Sequence, residues 1–123
     1  MFTDVSHVTV YVNNQEKVLD YYTNVLGFEK RTDAPFGDGM RWIEVGIPGV
    51  KINFNLITGY GGWEPERVGK STGILLSADN VRETIEALRG RGVKITMEPE
   101  SFDWGTNACF EDMDGNSYVL GGR

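Results

Sequence analysis

Apolar and polar residues alternate along HVTVYV, His7 to Val12, and again along GILLSA, Gly73 to Ala78. A period of two is the signature of a strand with one buried face. A different period comes after each segment. Beyond Asn14, apolar or aromatic residues stand at Val18, Leu19, Tyr22, Val25 and Leu26, which predicts a helix with one buried stripe and a natural stop at Gly27. Beyond Asn80 the stripe is Val81, Ile85 and Leu88, ending at Gly90 or Gly92, and Asn80 with Glu83 reads as an N-terminal capping pair. Near the end of the chain, DMDGNSYVL, Asp112 to Leu120, predicts an aspartate-glycine turn leading into a last hairpin strand.

The two halves repeat. Adding 66 takes Asn14 to Asn80, Gly39 to Gly105, Gly49 to Gly115 and Phe54 to Leu120, with one slip around Gly27 and Gly92. This predicts an α+β fold of two tandem βαβββ modules in one domain, residues 1–123: module one 1–57, a linker 58–71 and module two 72–123. The linker lies in TGYGGWEPERVGKST, a stretch rich in glycine and charge. A helix covers only one face of each module's strands, so the expected arrangement is a curved mixed sheet around an open cup, with the helices on its convex side. Alternation assigns the faces. Val8, Val10, Val12, Phe54, Leu56, Tyr118 and Leu120 belong under the helices, with Ile43, Val45 and Cys109 also in the core. His7, Tyr11, Trp42, Asn53, Asn55, Phe110 and Val119 look into the cup.

Composition narrows the function. With 40% hydrophobic and 24% charged residues the chain has the balance of a globular protein, and no apolar run approaches membrane-spanning length. A single cysteine, Cys109, excludes an internal disulfide, and no secretory signal is visible, so a cytoplasmic location is expected. The net charge of −6, without a local lysine and arginine cluster, argues against nucleic acid as a partner.

The paired βαβββ pattern, the opening SHVTVYV, the helix ending YYTNVLGF, the second helix ending LRGRGV and the closing DMDGNSYVL resemble the vicinal oxygen chelate superfamily. That family holds glyoxalase I, extradiol dioxygenases, fosfomycin-resistance enzymes and bleomycin-resistance proteins. The resemblance implies four metal-ligand positions in metal-dependent members, on the first and fourth strand of each module and usually His or Glu. Carried onto this chain they are His7 and Asn53, 46 residues apart, then Gly73 and Val119, also 46 apart. Asparagine is a poor donor and glycine and valine offer none, so no metal or other cofactor is expected.

The cup is expected to hold His7, Tyr11, Trp42, Glu44, Asn53, Asn55, Trp104 and Phe110 as ligand-binding residues, with no catalytic residue assigned. Tryptophan and phenylalanine beside an opening suit flat or cationic organic molecules through stacking and cation–π contact. The resemblance to the bleomycin-resistance branch implies a homodimer that sequesters a small molecule. Two alternatives stay open: a metal-independent isomerase or lyase using His7 as acid/base with Glu44 or Tyr11 assisting, and a divalent-metal-dependent lyase or dioxygenase.

Overall fold

The computed structural model describes every residue, Met1–Arg123. The first half runs β1 (His7–Tyr11), α1 (Gln15–Asp20), β2 (Glu29–Pro35), β3 (Arg41–Gly46) and β4 (Asn53–Ile57). The second runs β5 (Ser71–Ala78), α2 (Val81–Gly90), β6 (Lys94–Phe102), β7 (Gly105–Glu111) and β8 (Ser117–Gly122). Two four-stranded sheets result, in the orders β1-β4-β3-β2 and β5-β8-β7-β6. In each, the first strand pairs parallel with the fourth and the other pairs are antiparallel. This is the duplicated α+β βαβββ architecture that the repeat predicts.

The chain divides into two compact units, Met1–Val68 and Gly69–Arg123. Residues 58–68, read from sequence as connector, are tied down on the first unit. The Thr58 hydroxyl and the Trp63 indole N–H both donate to the Val12 carbonyl, at 2.6 and 2.9 Å. The Tyr60 hydroxyl donates to the Arg41 carbonyl at 2.9 Å.

Both helices begin on an asparagine in extended conformation. The Asn14 side chain accepts from the Lys17 N–H and that of Asn80 from the Glu83 N–H, each satisfying a backbone donor that the first helical turn leaves unpaired. The α1 helix departs from its simple stripe. After Asp20 it widens into a π turn, Tyr21–Val25, in which the Leu26 N–H reaches the Tyr21 carbonyl at 3.1 Å. The Thr23 hydroxyl also bonds back to the Leu19 carbonyl. The wider turn rotates the residues beyond it, so Val18, Leu19 and Tyr22 are buried while Val25 and Leu26 are only half-buried.

In the first unit Tyr22, Phe28 and Phe54 meet edge to face, with centroids 5.3 and 5.1 Å apart, above a core of Val10, Val12, Ile43, Val45 and Leu56. In the second, Val81, Ile85, Leu88 and Val93 cover Ala108, Phe110, Tyr118 and Leu120. Each large apolar side chain among these contributes about 1.5–3 kcal/mol by leaving water.

One facing assignment is corrected. Phe110, expected to look into the cup, is 3% exposed and stacks on Tyr118 at 5.4 Å, whereas Cys109, expected in the core, lies on the opposite face. The cause is hairpin length. Phe54 pairs with Val45, nine residues away, but its repeat partner Leu120 pairs with Ala108, twelve away. Three extra residues are an odd number, and in a period-two element an odd shift exchanges the faces.

Replacing Asn80 with Ala is expected to lower stability by about 1 kcal/mol, and with Asp by much less. Urea unfolding monitored by circular dichroism measures both.

Candidate functional site

On the first sheet, the face turned away from α1 carries rows of side chains set by strand register. Thr9, Asn55, Glu44 and Thr32 form one row, with His7 beside Asn53 in the next. The Glu44 carboxylate reaches across and hydrogen-bonds with His7 Nε2, while His7 Nδ1 lies 2.8 Å from the Ser6 hydroxyl. Burial opposes ionisation of Glu44, but hydrogen bonds from Thr32, His7 and Trp42 outweigh it and hold the carboxyl below its ordinary value. Asn55 is 6% exposed, and its side-chain oxygen has no partner.

Asn53 is engaged by another group. The Arg31 guanidinium donates to its side-chain oxygen at 3.1 Å and to the carbonyls of Ile47 at 2.9 Å and Ile52 at 3.1 Å, and it also contacts that of Val50. These bonds lock the loop between β3 and β4. The guanidinium lies against the bare backbone of Gly46, where a Cβ would stand 2.1 Å from Arg31 Cζ. Glycine is needed there for space. Nothing in the sequence pattern singles out Arg31, because its role depends on a bulge between Lys30 and Thr32.

Trp42 lies on the same face and joins a cluster of three rings. Phe36 stands perpendicular to it at 6.1 Å, and Tyr60 is stacked at 6.3 Å with 24° between planes. Burial raises the Tyr60 phenol above its usual range, against a smaller opposite effect of its hydrogen bond with Gln15. Tyr11 is held by the Gly61 carbonyl at 3.0 Å, with Arg67 over its ring at 5.9 Å. The first unit therefore brings together His7, Glu44, Trp42 and Asn55, ties Asn53 to Arg31, and sets Tyr11 beside residues 61–67.

The second sheet's open face is different in character. Leu75, Val119, Cys109 and Met97 form an apolar row, and Ser77, Gly121, Asn107 and Glu100 a polar one. A bulge between Ser71 and Leu75, with Gly73 at φ 70°, puts Leu75 rather than Gly73 opposite Val119. Trp104, in the β6–β7 turn, is 67% exposed and stacks on Phe102 at 5.3 Å. A cavity of about 400 Å³ opens beside it, lined by Leu75, Ser77, Trp104, Asn107, Gly121, Gly122 and Arg123. Leu75 and Asn107 escaped the sequence reading, since the bulge and the altered hairpin that orient them leave no periodic mark.

The sequence of this chain matches the family model of the Glyoxalase/Bleomycin resistance protein/Dioxygenase superfamily over residues 4–120. The chain belongs to that superfamily. A solved superfamily member from Sphaerobacter thermophilus DSM 20745 is similar at 35% identity and TM-score 0.87, with 99% of this chain and 98% of that one covered. TnmS3, an antibiotic binding protein from Streptomyces sp. CB03234, is similar at 32% identity and TM-score 0.84, over 98% and 96%. Lactoylglutathione lyase of Neisseria meningitidis serogroup A / serotype 4A (strain DSM 15465 / Z2491) is 28% identical, over 89% of this chain and 83% of that protein.

The residues do not fit the divalent ion of the family's metal-dependent members. Asn53 already receives a guanidinium, whose permanent charge repels a cation. Gly73, Leu75 and Val119 carry no donor. No group of three or more His, Cys, Asp or Glu side chains is arranged to hold a metal. No helix is long and apolar enough to cross a membrane.

This geometry has two measurable consequences. Gly46→Ala should cost about 1–3 kcal/mol by displacing Arg31, and much less in an Arg31→Ala background; a double-mutant cycle in urea measures the coupling. Glu44 has a lowered folded-state value, so its stabilising effect is complete above its unfolded value of about 4.3 and fades as pH falls through the lower folded one. The stability difference between wild type and Glu44→Gln should therefore shrink between about pH 6 and pH 3. Unfolding curves at each pH check this.

Proposed function

We propose that this protein binds a small organic molecule on its open sheet faces without a metal, using aromatic surfaces for affinity and polar side chains for orientation. One observation carries the reading: the fate of the family's four ligand positions. His7 is paired with Glu44, Asn53 with Arg31, and the two positions in the second unit offer no donor. A protein that sequesters its ligand needs only differential affinity, so this donor loss leaves binding intact and removes the Lewis acid of the family's metal chemistry. Similarity to an antibiotic binding protein supports the same direction. Exposed Trp104 and Phe102, with half-buried Trp42, favour a flat aromatic ligand. The ligand-binding set proposed is His7, Tyr11, Trp42, Glu44, Asn55 and Trp104, with Asn53 acting through its contact with Arg31.

A second reading rests on the His7–Glu44 pair. A carboxylate that fixes an imidazole is what a general acid/base requires, so a metal-independent isomerase or lyase is the alternative. The two separate in one experiment. Purified protein is analysed for metals and then screened by thermal shift against antibiotics and aromatic metabolites, with product analysis of every hit. Binding predicts substoichiometric metal, a dose-dependent rise in Tm, and unchanged ligand; a ligand at 100 times its Kd adds about 2.7 kcal/mol. Turnover that His7→Ala abolishes with affinity retained establishes the enzyme instead.

A further inference from the structure

We infer that the cavity beside Trp104 is a binding site for planar aromatic molecules that carry hydroxyl or amino donors along one edge. The inference rests on the small-molecule reading above and specifies its ligand. Three features of the second unit converge. Trp104 at 67% and Leu75 at 63% exposure both line the cavity, and Phe102, stacked parallel on Trp104 at an interplanar angle of 2°, fixes the orientation of the indole. Exposed apolar surface joined to a cavity marks a ligand site.

Two glycines, Gly121 and Gly122, are among the cavity's lining residues. Gly121 leaves its Cα bare beneath Asn107 and Leu75; a Cβ there would lie 2.9 Å from Asn107 Oδ1 and 3.4 Å from Leu75 Cδ1. Asn107 and Leu75 therefore pack directly over the Gly121 backbone, which only glycine allows, and fix the cavity surface there. Ser77, Gly121 and Asn107 share one row of the sheet while Leu75 and Val119 make the next, and Arg123 also lines the cavity. The side-chain oxygen of Asn107 is buried and has no hydrogen-bond partner. An unpaired buried acceptor is costly, and a ligand donor that reached it from the cavity Asn107 lines would relieve that cost. A ring stacked against Trp104 over the apolar row would present its edge to Asn107 and Ser77. That geometry selects a donor-bearing edge over a bare or methylated one.

The test uses the whole ¹⁵N-labelled chain and two neutral probes, 2,6-dihydroxynaphthalene and 2,6-dimethoxynaphthalene, titrated by NMR. The dihydroxy probe should shift the resonances of Leu75, Ser77, Gly121, the Asn107 side-chain amide and the Trp104 indole, and bind roughly tenfold more tightly than its dimethyl ether. Trp104→Ala, at an exposed position, should weaken it by roughly tenfold with the fold intact by the same spectra. Asn107→Ala should remove the preference between the two probes. Saturable binding with shifts elsewhere, for example around Trp42, overturns this site and leaves the binding reading standing. Equal affinity for both probes in wild type overturns the donor-edge assignment. No shift with either probe overturns the site for this class, and a blank thermal-shift screen beside it would remove the binding reading as well.

Discussion

Each half of this protein sets a single helix against a four-stranded sheet, and that mismatch governs everything else. Four strands at about 4.8 Å spacing are wider than a helix of about 10 Å diameter. One face of each sheet is covered only over its middle, and the other is not covered by the helix at all. The second unit shows the first effect: Ala108 and Leu120, on central strands, are buried, whereas Ile74 and Leu76 on edge strand β5 stay half-buried. The second effect creates the chance of function, since the uncovered face must carry side chains that tolerate water or bind something else.

The two units answer that demand in different ways. In the first, polar groups are largely used up on one another. Glu44 holds His7, Arg31 holds Asn53 and the loop carbonyls, and Tyr60 holds the Arg41 carbonyl. The Asn55 oxygen is the exception, sealed in the row between Thr9 and Glu44. In the second, glycine and apolar residues dominate, and Trp104 is left largely exposed. The first face is thus largely self-satisfied, whereas the second sets an apolar row and an exposed tryptophan beside a polar row whose Asn107 oxygen is unpaired.

How far sequence could anticipate this depends on whether local pattern or long-range register decides. The helix start beyond Asn14 and the cap at Asn80 were legible because both are set by contacts within one turn. So were the strand faces of β1, β4 and β8, where alternation runs unbroken. The face of β7 was not, since an odd difference in hairpin length reverses Cys109 and Phe110 while leaving the glycine repeat in place. Arg31 was invisible for a related reason: its reach to Asn53 depends on a bulge and on Gly46, neither of which periodicity encodes. Asn55 and Glu44 were placed on the right face, but their neighbours came only from register.

The Arg31 contact bears on how metal chemistry and binding trade against each other in this fold. A divalent ion must be gripped by charged or strongly basic donors converging on one point. Here one candidate amide faces a guanidinium fixed by several carbonyls, and one imidazole is already paired with a carboxylate. Substituting Asn53 alone with a better metal ligand would set that ligand beside a permanent positive charge. A metal grip at Asn53 would also require removing Arg31, which unlocks the β3–β4 loop, and refilling Gly46, which that guanidinium now overlies. A metal grip at Asn53 would therefore need several coupled changes, each costly alone. Altering an exposed ring such as Trp104 disturbs no core residue, so the chemistry of the second unit's open face can change while the fold is kept.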